Sequence, residues 1–149
     1  MENILVQFLK KIANENNYQI YDSIYGNIDL KDNAAIKQSS GSVYGIWVKS
    51  DSSPDGIVRC INDYPKWFPV YWGKDIAPVS RMKAHVQDHK NTGNIALRKI
   101  EEIKCKELIF GAIMVSNYED FEILLQKQYR PMKGGNRKGG KSTLIKILG

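Results

Sequence analysis

Tyr71-Trp72-Gly73-Lys74 is followed at short range by Arg81-Met82-Lys83-Ala84-His85. A strand leaving through the glycine would deliver a phenol and an ammonium to one place. With Pro78 opening a helix, Arg81 and His85 would lie one turn apart on one face. Phenol, ammonium, guanidinium and imidazole in one small volume suit the handling of a phosphodiester, whose charge must be met while a water loses a proton.

Such groups need a sheet and flanking helices to hold them, and the patterning supplies both. Ile4, Leu5, Phe8, Leu9 and Ile12 recur at helical spacing, so residues 2–15 read as an amphipathic helix. Residues 16–42 read as an irregular lead-in with one short strand at most. Strands are expected over 42–49, 56–61, 68–73 and 107–115, the last the most apolar, with a turn at Asp51 to Gly56. Helices are expected over 75–90 and from Ile95 to about Lys104. Ser116 and Asn117 precede Glu119 and Asp120 in a capping-box pattern, opening a helix that runs to about Tyr129 before Arg130-Pro131. The order argues a small α/β or α+β domain with a mainly antiparallel sheet flanked by helices.

The 149 residues suffice for one core. A composition 42% hydrophobic and 26% charged is that of a folded chain, and no apolar run reaches the ~20 residues of a membrane span. Met1-Glu2-Asn3 offers no basic start for a secretory signal, and Cys60 and Cys105 are too few for a disulfide scaffold or zinc cage. Both are expected to be reduced thiols of a cytoplasmic protein. The net charge of +6 is concentrated at one end. Seven of the 22 basic residues and no acid fall between Ile123 and Gly149, leaving 15 basic residues to face all 16 acids elsewhere. A basic tail of this kind suits a polyanion, with Lys133, Arg137, Lys138 and Lys141 as candidate nucleic-acid contacts.

The motifs resemble those of the GIY-YIG nuclease family. Gly45-Ile46-Trp47 stands where the family has Gly-Ile-Tyr, and Tyr71-Trp72-Gly73 where it has Tyr-Ile-Gly. Arg81 follows Tyr71 by ten residues, His85 follows Arg81 by four, and Lys74 follows Gly73 directly. Glu122, Leu125, Tyr129 and Pro131 keep the family's Glu-x-x-Leu…Tyr-x-Pro spacing. The resemblance spans about 42–136 and departs at Trp47, which replaces a tyrosine. The longer link from Trp47 to Tyr71 implies an inserted loop at 50–67, behind an N-terminal extension (1–41) and before a basic tail (137–149).

The resemblance implies a metal-dependent endonuclease acting on DNA, most simply double-stranded. Tyr71 would be the general base, Lys74 and Arg81 would meet phosphate charge, and His85 would contact phosphate or relay a proton. Because a free phenol titrates near ~10, that base needs cations beside it. Glu122 would hold one Mg²⁺ or Mn²⁺ with water and phosphate oxygens. One such site cuts one strand, so a double-strand cut by a restriction-type enzyme calls for a homodimer, a tetramer or sequential nicking. A non-catalytic nucleic-acid-binding module is the alternative. Gly135 to Ser142 also fits the P-loop pattern G-x-x-x-x-G-K-[ST]. It lacks a strand before it and room for a helix and sheet after it, so nucleotide binding is a distant third reading.

Overall fold

The computed structural model describes residues 2–27, 41–75, 101, 103, 105–132 and the backbone of 137–138 and 141–142. Arg81, His85, Lys133 and nearly all of the helices expected over 75–90 and 95–104 lie outside these. The chain forms helix α1 (Ile4–Glu15), strands β1 (Ile20–Asn27), β2 (Ser42–Lys49), β3 (Trp67–Asp75) and β4 (Leu108–Val115), and helix α2 (Tyr118–Gln128). A short ladder of β5 (Arg137–Lys138) with β6 (Lys141–Ser142) follows. The four long strands make one antiparallel sheet in the order β1-β4-β2-β3. This is the expected small α+β architecture.

Central position explains β4, which is buried at all eight residues. Asn3 caps α1 by accepting from the Val6 N–H at 3.0 Å, and its amide donates to the Phe110 carbonyl at 2.9 Å, tying the helix start to β4. The apolar stripe Leu5, Val6, Phe8, Leu9, Ile12 and Ala13 is buried, mainly against the sheet. The lead-in expected to be irregular supplies β1, an eight-residue edge strand paired with β4. Its alternation is blurred in the sequence by a register shift between Ile20 and Asp22 and by two exposed aromatics, Tyr21 and Tyr25.

Two buried clusters mark the two faces. On the helix side lie Val43, Trp47, Trp72, Ile109, Ile113 and the inward residues of α1 and α2. On the other lie Tyr44, Ile46, Val48, Val70, Tyr71, Phe110 and Met114. Consecutive Val70 and Tyr71 share a face because β3 is bulged: Trp47 pairs with Pro69, Ile46 pairs with Tyr71, and Val70 is the extra residue. Pro69 has no N–H for the ladder, which suits a strand at the sheet's edge.

Two local expectations fail for identifiable reasons. Residues 56–61 form no strand, because the Asp55 carboxylate accepts from the Ile57 and Val58 N–H groups at 2.9 and 2.8 Å and holds the chain in a turn. A single bridge, Ile61 with Tyr64, is what remains. The capping box before α2 is also absent. Asn117 is left-handed, with φ 46°, and makes no side-chain cap bond, while the Ser116 hydroxyl accepts from the Gln19 N–H at 2.9 Å. Glu119 and Asp120 still sit in the first turn, where the helix dipole favours them. No helix among the described residues is long and apolar enough to cross a membrane.

Candidate active site

Tyr71 lies on β3, 6% exposed, on the sheet face away from α1 and α2. The first-motif position opposite it is not filled by Trp47. That indole is fully buried on the helix side, edge-on to Phe8 at 5.2 Å and to Trp72 at 6.3 Å, with no hydrogen-bond partner for Nε1 among the described residues. Tyr44 is the phenol that meets Tyr71, with ring centroids 5.9 Å apart. Tyr44, three residues before Trp47, is the β2 tyrosine that shares a face with Tyr71. A tyrosine on the opposite strand phase from Trp47 was the available signal.

The glycines of both motifs are close-approach positions. A Cβ at Gly45 would stand 2.5 Å from the Trp72 ring, and one at Gly73 would stand 2.6 Å from Cζ and the hydroxyl of Tyr44. Tyr44 thus lies across the Gly73 backbone, one residue before Lys74. Lys74, paired with Val43 on the helix side, makes a 3.1 Å ion pair with Glu119 of α2.

Glu122 sits one turn along α2 from Glu119, half-buried. Burial pushes its carboxyl above the ordinary glutamate value, while the Gln126 side chain and the Lys74 charge pull it back. Gln126 donates from Nε2 to the Trp72 carbonyl at 3.0 Å, and its Oε1 is buried without a hydrogen-bond partner among the described residues. Trp72 Nε1 in turn donates to the Tyr129 carbonyl at 2.7 Å, and the Met132 N–H donates to the Pro69 carbonyl at 2.9 Å. These three bonds fasten residues 126–132 beside β3.

The structure thus gathers Lys74, Glu119, Glu122 and Gln126 on one side of β3, and Tyr44 and Tyr71 on the other. No group of three or more His, Cys, Asp or Glu side chains forms a metal cage among the described residues. The donors available to a hard cation are the Glu122 carboxylate and the orphaned Gln126 amide oxygen, which fit an ion otherwise bound by water and phosphate.

No family model matches the chain, and neither the characterised proteins nor the solved structures searched yield a match. Arg81 and His85 lie outside the described residues. So do the side chains of Lys133, Arg137, Lys138 and Lys141. The backbone of 137–138 and 141–142 does bear on the P-loop pattern: Lys141 and Ser142 are extended and paired with Lys138 and Arg137, where a P-loop would have them begin a helix. Both cysteines are free and exposed.

Proposed function

We propose that this chain is a GIY-YIG-like, metal-dependent DNA endonuclease working at the β3 edge of the sheet. The observation that carries the reading is the pairing of Tyr44 with Tyr71 around Gly73 on the edge strand β3, with Lys74 and Glu122 not beside the phenols but across that edge, on the helix side. In this reading Tyr71 takes the proton from the attacking water, and Tyr44 orients that phenol and the water. The water oxygen attacks phosphorus, and the bond to the leaving sugar oxygen breaks. Lys74, with Arg81, meets the charge on the non-bridging oxygens. Glu122, with Gln126 beside it, would hold Mg²⁺ or Mn²⁺, which supplies Lewis-acid stabilisation of the phosphate and leaving oxygen. Double-strand cleavage of restriction type would use two copies of the chain, acting in the cytoplasm.

Burial of Tyr71 favours a second reading, a nucleic-acid-binding module that does not hydrolyse. Supercoiled plasmid with Mg²⁺ or Mn²⁺ separates the two. The nuclease reading expects nicked or linear product from the wild type and none from Tyr71→Phe or Glu122→Ala. Equal cleavage by all three proteins sinks the mechanism. DNA binding without cleavage under either metal establishes the second reading.

A further inference from the structure

A groove of about 840 Å³ runs between the 55–62 loop and the end of α2 with the segment after it. Val58, Ile61 and Pro131 are buried along it, and cations stand on both walls: Arg59 on the loop, Lys127 and Arg130 opposite. All three are exposed, and among the described residues none is in an ion pair. The acid lining the groove, Asp55, has its carboxylate turned to the Ile57 and Val58 N–H groups. The α2 wall belongs to the stretch with no acid after Glu122.

Two cationic walls around an open channel match a linear polyanion better than a compact anion, which one wall could hold. Lys127 follows Glu122 by five residues, ~7.5 Å along the helix axis and about 140° around it, so the groove opens on a different face of α2 from Glu122. We propose that this groove binds the sugar-phosphate backbone of duplex DNA on the flank of the reacting phosphate, through Arg59, Lys127 and Arg130. The proposal rests on the nuclease reading for its substrate and adds a contact that the two motifs do not supply. It also gives the inserted loop a role, since Arg59 closes the channel from the side that α2 cannot reach.

The test is the salt dependence of binding to a labelled DNA duplex, measured on the full chain with EDTA present. Arg59→Gln, Lys127→Gln and Arg130→Gln are compared with Lys11→Gln, which removes one charge from α1 at a residue paired with Asp63. Each groove variant is expected to flatten the slope of log K against log salt by about 0.9. The affinity lost between 50 and 200 mM salt then shrinks by about 3.5-fold per variant, while Lys11→Gln keeps the wild-type slope. Groove variants with the wild-type slope overturn the proposal even when the wild type binds and cuts DNA. A wild type that binds no DNA overturns both the proposal and the reading beneath it.

Discussion

Tyr44 and Tyr71 lie on neighbouring antiparallel strands with ring centroids 5.9 Å apart and planes inclined by 34°. Tyr44's direct partner across the ladder is Gly73, not Tyr71, so its ring crosses the glycine diagonally toward the second phenol. A diagonal neighbour two residues away is within aromatic reach on one sheet face. The pair therefore depends on a missing side chain as much as on the two present.

Tyr71→Phe keeps the ring and removes the hydroxyl, so stability should change by about 0.5–1.5 kcal/mol while cleavage falls by about 10²–10⁴. Trp47→Phe should behave in the opposite way. It hollows the helix-side core and lowers the melting temperature, yet leaves turnover of the folded protein near wild type. Plasmid cleavage beside thermal unfolding checks both. A Trp47→Phe chain that folds but does not cut would return the first-motif role to position 47.

Gly73→Ala should cost about 1–3 kcal/mol, because its Cβ must displace the buried Tyr44 ring. The same displacement breaks the Tyr44–Tyr71 pair, so cleavage should fall even where the variant is fully folded. Thermal melts and cleavage rates below the melting transition separate the two effects.

Glu122 is held above its ordinary value of 4.5, so the folded chain binds that proton more tightly than the unfolded one. Its contribution is present below about 4.5 and is lost as pH rises through the raised value. Glu122→Gln should therefore melt higher than the wild type near neutral pH, with the gap closing toward acid. Mg²⁺ or Mn²⁺ should raise the wild-type melting temperature and leave that of Glu122→Gln unmoved. A gap independent of pH would place the Glu122 carboxyl in ordinary solvent.

The N-terminal helix is part of the core, with Leu9 fully buried at its centre. Leu9→Ala should cost about 2–5 kcal/mol by denaturant unfolding. A cost below about 1 kcal/mol, that of a typical surface change, would make residues 1–15 an appendage.

Much of this fold is legible in single residues. The stripe from Leu5 to Ile12 has one solution, a helix on a core, and eight apolar residues from Leu108 to Val115 bounded by polar ones read as a central strand. Asn117 shows where such reasoning stops. A capping pattern is a local preference, and here the chain reverses direction through a left-handed residue while Ser116 is spent on Gln19. The 56–61 segment fails similarly, since one Asp55 carboxylate outcompetes the strand propensity of Ile57 and Val58.

By itself the sequence determined which residues are able to do chemistry. The Tyr-Trp-Gly-Lys run, the glutamate spaced from Tyr129 and Pro131, and the acid-free tail are all covalent facts. Strand alternation alone would set Tyr71 on the same face as Pro69, toward Trp47 and α1. One extra residue, Val70, shifts the phase of β3 and turns Tyr71 to the other face, beside Tyr44. A bulge depends on how two distant strands register against each other, so only the tertiary structure could decide which phenol Tyr71 would meet.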